Sequence, residues 1–91
     1  QYSSTEDYVQ HAYFMLAFSK SIIGDHTGAI ADYTKVIEMD NSYRDAFLNR
    51  SLLKELIGDG KGACSDAKRS VNLGFQNKEY NNWIKKNCKR F

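Results

Sequence analysis

Two cysteines and two histidines are the residues of this 91-residue chain best suited to chemistry, as thiol nucleophiles, disulfide partners or metal ligands. His11 and His26 lie far from Cys64 and Cys88, and the four residues do not have the short ligand spacing of a zinc site. We therefore expect no metal site. Both histidines are interpreted as ordinary surface residues.

The sequence motifs of the common enzyme classes are missing as well. The chain contains no Gly-x-Ser-x-Gly and no His-Glu-x-x-His. The glycine cluster GDGKG at residues 58–62 lacks both the spacing and the Gly-Lys-Ser/Thr end of a phosphate-binding loop. Asp25 and Asp59 occupy equivalent turns, which suits a structural role. We expect a protein that is not an enzyme and that uses no cofactor.

One short sequence motif occurs twice, as GDHTGAIADY from Gly24 and as GDGKGACSDA from Gly58. The separation of these two glycines is the repeat period. On both sides of each Gly-Asp pair, apolar residues recur at three- and four-residue spacing, which is helical periodicity. Because glycine often ends a helix and the chain has no proline to interrupt one, each unit is predicted to be a helix, a tight turn and a second helix. The sequence therefore predicts an all-α protein.

A helix pair repeated at this period resembles the tetratricopeptide repeat, whose pattern is an aromatic residue, Leu and Gly on the first helix, then Ala and a second aromatic. In the first copy these positions hold Tyr13, Leu16, Ala17, Ala29 and Tyr33. In the second copy they hold Phe47, Arg50, Ser51, Ala63 and Ala67, which is a looser match. The resemblance implies antiparallel helix pairs stacked as a short right-handed α-solenoid of about five helices.

The repeat divides the chain, which we take as a single domain of residues 1–91. Its parts are an N-terminal extension (1–9), repeat 1 (10–43), repeat 2 (44–77) and a C-terminal capping helix (78–91). Such a cap has one apolar stripe and one polar face, because the last repeat of a stack would otherwise leave its packing face in water. Ser3 with Glu6, or Ser4 with Asp7, could cap an extension of the first helix.

The two cysteines fall on neighbouring helices. Cys64 lies on the second helix of repeat 2 and Cys88 on the capping helix, with a short turn between them. An antiparallel pair with that turn places residue 64 opposite about residue 87, so the cysteines are nearly level. The sequence leaves open a disulfide or two buried free thiols. A disulfide would indicate an extracytoplasmic or cell-envelope location, and free thiols a cytoplasmic one.

In the tetratricopeptide family the first helices line a concave groove that receives peptides or helices, and its exposed positions are normally polar. In this chain the matching positions are largely apolar. They are Phe14, Met15, Phe18, Ile22, Leu48, Asn49, Leu52 and Trp83. We expect these residues to form the partner-binding site of a protein-interaction module. Binding of C-terminal carboxylates is not expected, because Phe14 and Phe18 replace the Lys and Asn of the family's clamp, and Glu79 and Trp83 its later basic pair.

The segment AYFMLAF at residues 12–18 is apolar on every side, and the repeat's own core accounts for one side of it. Its cover could be a partner protein, a second copy in a homodimer, or residues 1–9 folding back with Tyr2 and Tyr8. The remaining alternative is that slightly thicker local packing hides these residues.

Charge is distributed unevenly along the chain. Residues 1–43 carry two basic and six acidic residues, whereas residues 78–91 carry five basic and one acidic. The alternative function is nucleic-acid binding by the basic end, with Lys85, Lys86, Lys89 and Arg90 on phosphates and Trp83 and Phe91 stacking on bases. A solvated face of a terminal helix is the commoner explanation of such a charge run. No stretch approaches the ~20 apolar residues of a membrane span, so no membrane insertion is expected.

Overall fold

A computed structural model describes residues 5–89 of the chain. Within that range the chain forms five α-helices and no strand, which confirms the predicted all-α class. The helices are α1 (Thr5–Ile22), α2 (His26–Met39), α3 (Arg44–Leu56), α4 (Gly60–Asn72) and α5 (Lys78–Asn87). None of these five is long and apolar enough to cross a membrane. The predicted roles of Tyr2, Ser3, Ser4, Arg90 and Phe91 lie outside the described residues.

The repeated Gly-Asp motif forms a turn that ends one helix and caps the next. Gly24 has a φ of 88°, in the left-handed region that glycine adopts without strain. The Asp25 side chain accepts a hydrogen bond of 3.0 Å from the backbone N–H of Gly28 and so caps α2. A Cβ on Gly28 would lie 2.2 Å from Asp25 Oδ2, so this cap favours glycine there. Repeat 2 uses the same arrangement at Gly58, Asp59 and Gly62.

Packing follows the order of the helices along the chain. Extensive contacts join α1 to α2, α2 to α3 and α3 to α4, and α5 packs on α4. Ala29 and Ala63 hold equivalent positions in α2 and α4, and both are completely buried. A methyl group at such a position lets two helices approach closely. The core around Ala29 is built from small and medium side chains together with Tyr33, namely Ala17, Val36, Ala46 and Leu53.

Ion pairs repeat with the same period as the turns. Lys20 Nζ lies 2.8 Å from Asp32 Oδ2 in repeat 1, and Lys54 Nζ lies 3.1 Å from Asp66 Oδ2 in repeat 2. The repeat period that carries Gly24 onto Gly58 also carries Lys20 onto Lys54 and Asp32 onto Asp66. Each pair joins the two helices of its own repeat, so the equivalence of the repeats extends to their electrostatics.

Arg50 explains one departure of repeat 2 from the expected pattern, in which this position is Leu. Its guanidinium donates two hydrogen bonds of 2.7 Å to the Asp66 carboxylate in α4 and a third, of 3.0 Å, to Thr34 Oγ1 in α2. Arg50 therefore ties α3 to the helices before and after it. A leucine could make none of these bonds.

The first helix begins earlier than the start of repeat 1. Residues 5–9, predicted to belong to an N-terminal extension, are the first turns of α1. Tyr8 is 70% exposed on this helix. It therefore does not fold back over the groove positions of α1.

Candidate protein-binding groove

A cleft of about 280 Å³ lies between α1 and α3, with part of α2 at its base. We call it the first cleft. Its lining residues are Phe18 and Ser21 of α1, His26 and Tyr33 of α2, and Asn49, Leu52, Leu53 and Leu56 of α3. Phe18 is 45% exposed and Leu52 is 49% exposed. The described part of the chain thus leaves both apolar side chains accessible, and local packing does not hide them.

The base of the first cleft is held by contacts within the chain. Asn49 Nδ2 donates a hydrogen bond of 3.0 Å to the hydroxyl of Tyr33, a residue that is almost fully buried. Burial raises the pKa of Tyr33 above its ordinary value, and the bond from Asn49 partly offsets this shift. Phe14 packs edge-on against Tyr33 and stacks on Tyr43, with ring centroids 5.4 and 5.2 Å away. These contacts give the cleft a fixed aromatic base.

A second cleft, of about 420 Å³, lies between α3 and α5. It is lined by Ser51, Leu52 and Glu55 of α3 and by Asn77, Glu79, Tyr80 and Trp83 at the start of α5 and along it. Leu52 lines both clefts, so they are adjacent to each other at this side chain. We use the word groove for the two clefts together.

The α5 wall of the second cleft is positioned by a cap and by one aromatic side chain. Asn77 accepts a hydrogen bond of 2.8 Å from the backbone N–H of Tyr80, which starts the helix. The Tyr80 hydroxyl is hydrogen-bonded to Ser51 Oγ on α3, and its ring stacks on Trp83 with 6.0 Å between centroids. Burial raises the pKa of Tyr80, while its bonds to Ser51 and Ser70 act in the opposite direction. Tyr80 therefore ties Trp83 to α3.

The two cysteines fix the far end of the same helix. Their Sγ atoms are 2.05 Å apart and their α-carbons 5.6 Å apart, so the pair is at disulfide distance. This agrees with the prediction that antiparallel helices place them level. Both residues are buried, although α5 itself has no buried residue. A link from α4 to the end of α5 thus holds a helix that has little core of its own.

No protein-family model matches this chain, and no curated protein matches it. No relative's binding residues can therefore be carried over to it. An assignment of function depends on the geometry of the groove and on the chemistry of its side chains.

The structure brings together only some of the predicted groove residues. Phe18, Asn49 and Leu52 line the first cleft, and Leu52 and Trp83 line the second. Phe14 lies partly buried against the core, and Leu48 is half-buried. Met15 and Ile22 are exposed but line neither cleft. Met15, Asn49 and Trp83, which follow one another at the repeat period, therefore do not share one cleft.

Other lining residues were not predicted as site residues, above all Tyr33, Ser51, Glu55, Glu79 and Tyr80. Tyr33 was predicted only as the second aromatic position of the repeat pattern; it packs in the core and also lines the first cleft. Tyr80 lies three residues before Trp83, and that helical spacing could have placed the two rings side by side. Ser51 and Glu55 line the second cleft because α3 lies close to α5. No pattern within a single helix predicts that approach.

Four of the predicted nucleic-acid residues, Lys85, Lys86, Lys89 and Trp83, fall within the described part of the chain, and Arg90 and Phe91 lie outside it. Lys85, Lys86 and Lys89 are exposed at the C-terminal end of the described chain. Trp83, the proposed stacking group, instead packs on Tyr80 inside the second cleft. Elsewhere among residues 5–89, no group of three or more His, Cys, Asp or Glu side chains could hold a metal ion.

Proposed function

We propose that this chain is a protein-interaction module of the tetratricopeptide type, with its helix pairs stacked as a short right-handed α-solenoid. Its groove binds a hydrophobic or helical segment of a partner protein. The observation that carries this proposal is the first cleft, where Phe18 and Leu52 on two different helices stay about half exposed around an aromatic base. Soluble proteins seldom leave a concave apolar surface open without a use for it.

The binding energy would come from removing these side chains from water. Burial contributes roughly 25 cal/mol per Å² of apolar surface, and only the part of this gain that exceeds the cost of association and of ordering the segment appears as affinity. Trp83 extends the surface into the second cleft, and tryptophan is among the residues that most often dominate binding energy. At the other end, Ile22 and Leu56 carry the apolar surface to the ends of α1 and α3.

We favour a partner segment over a second copy of the chain because the two clefts are concave and each has room for individual side chains. A homodimer through the same face remains the alternative occupant. The cysteine pair supports an extracytoplasmic or cell-envelope setting, where disulfides persist.

The proposal is tested with a phage-displayed random peptide library selected on the wild-type protein. We expect enrichment of apolar peptides, and isothermal titration should show binding that falls at least about tenfold in Phe18→Asp and Leu52→Asp. The matched control is Leu16→Asp, since Leu16 is on the same helix as Phe18, is similarly exposed and lines neither cleft. Circular dichroism should show unchanged helix content in all three variants.

The other outcomes separate the alternatives. If Phe18→Asp and Leu52→Asp unfold the protein, these residues are core and the groove proposal fails. Folded variants that still bind would place the working surface elsewhere. Sedimentation velocity that shows a wild-type dimer lost in both variants would favour the homodimer. Binding to nucleic acid would weaken steeply with salt, whereas an apolar complex responds little.

A further inference from the structure

The second cleft differs from the first in its charge. Two carboxylates, those of Glu55 and Glu79, line it together with the aromatic rings of Tyr80 and Trp83, and none of its described lining residues is basic. Within residues 5–89 neither glutamate forms an ion pair, whereas the buried Asp32 and Asp66 are matched by lysine or arginine. The cleft therefore presents two carboxylates that no residue within 5–89 pairs with.

The aromatic wall of this cleft also favours a positively charged ligand. Tyr80 and Trp83 lie nearly parallel, at an interplanar angle of 14°, and both line the cleft. The face of an aromatic ring attracts a cation, most strongly for tryptophan. The hydroxyls of Tyr80 and Ser51 already bind each other, so these polar groups of the cleft are satisfied. The preference for a charged ligand thus depends on the two carboxylates and on the aromatic faces.

We infer that the second cleft binds a basic side chain, arginine before lysine, supplied by the segment that occupies the groove. This inference rests on the proposed function, because it names one residue of the partner. A guanidinium is planar, so it can stack on Trp83 while its N–H groups donate to Glu55 or Glu79. An acidic side chain would be repelled, and an apolar one would strip water from carboxylates without replacing their hydrogen bonds. The preferred segment places an apolar side chain in the first cleft and a basic one in the second.

A pair of small probes tests this without knowledge of the partner. N-acetyl-arginine methylamide and N-acetyl-citrulline methylamide have the same shape and differ in charge. Trp83 is the only tryptophan of the chain, so its fluorescence reports on the second cleft. At constant ionic strength, we expect the arginine probe to bind roughly threefold to tenfold more tightly than the citrulline probe, the range that cation–π and exposed ion-pair contacts supply. Glu55→Gln and Glu79→Gln should each reduce this preference.

Two control variants make the outcome specific. Glu38→Gln removes an exposed carboxylate outside both clefts and should leave the preference unchanged. Phe18→Asp should also retain arginine binding, because the probe does not enter the first cleft. Equal affinity for the two probes, or an unchanged preference in both second-cleft variants, would overturn the inference. If arginine binds with the expected preference and no apolar peptide binds, the preference of the second cleft for a basic group is established, while the proposed function fails and with it the partner segment as the source of that group.

Discussion

The guanidinium of Arg50 and the carboxylate of Asp66 face each other through two hydrogen bonds of 2.7 Å, with both side chains largely buried between helices. Lys54 approaches the same carboxylate to 3.1 Å, so Asp66 carries two cationic partners. In repeat 1 the equivalent Asp32 has one ion-pair partner among residues 5–89, Lys20, which is partly exposed. The two aspartates occupy equivalent positions in the two repeats, but Asp66 pairs with two cationic side chains and Asp32 with one.

Replacing Asp66 by Ala should therefore destabilise the protein much more than replacing Asp32 by Ala. The first change leaves the largely buried Arg50 and the partly exposed Lys54 without a counter-charge, and removing one partner of a buried ion pair costs about 3–5 kcal/mol in comparable sites. The second releases a lysine that can reach water, so we expect a clearly smaller loss. Urea unfolding followed by circular dichroism gives both free energies. Equal losses of unfolding free energy would show that the additional ion pair of Asp66 contributes nothing to stability.

The helix cap at the second turn can be tested with a double-mutant cycle on Asp59 and Gly62. Gly62→Ala should cost about 1 kcal/mol of unfolding free energy, because the new Cβ would displace the capping carboxylate of Asp59. In an Asp59→Ala background the same change should be harmless or slightly stabilising, since alanine is the better helix former. Chemical denaturation of the four proteins measures the coupling. Additive effects would contradict the requirement for glycine at this cap.

The cysteine pair should form an intramolecular bond in the oxidised protein. The bridged residues are 24 apart, and closing a loop of that size in the unfolded chain contributes about 3 kcal/mol of stability. Reduction should lower the melting temperature and change Trp83 emission, because α5 then depends on Tyr80 and its cap. Mass spectrometry of a non-reduced digest identifies the linked peptides. Free alkylation of both thiols in the folded, oxidised protein would rule the bond out.

Alkaline pH should destabilise the fold through its buried phenols. Burial raises the pKa of Tyr33 and Tyr80 in the folded state, whereas in the unfolded state they ionise near their ordinary value of about 10. The folded state thus holds these protons more tightly, and its stability is full below pH ~10 and declines as the pH rises through the raised values. Unfolding free energies from pH 8 to 11 should show a shallower decline in Tyr80→Phe than in wild type. An identical decline would exclude Tyr80 as a source.

The sequence was sufficient for the class and order of the helices, because period and turn chemistry are local. The repeat period aligned Gly24, Asp25 and Gly28 with residues that make the same cap. Phe18 and Leu52 were identified as groove residues because the resemblance to the tetratricopeptide repeat places both positions on the groove side of the first helices.

What the sequence could not supply depends on distances between helices. Helical periodicity predicts on which face of α1 Phe14 lies. How far its side chain is buried depends on Tyr33 and Tyr43, which lie outside α1. The same holds for Glu55 and Glu79, which line one cleft although they belong to different helices. Arg50 departed from the expected pattern, and only its approach to Asp66 shows that the departure is structural.

The link between Cys64 and Cys88 also sets how far the chain can be stretched. When an oxidised molecule is pulled from its two ends, the force passes across the sulfur–sulfur bond, and the segment between the cysteines carries none of it. That segment spans a sequence separation of 24, so the contour length of the oxidised chain is shorter by roughly 80 Å, at about 3.4 Å per residue. Helix α5, with Trp83, lies wholly inside the shielded segment.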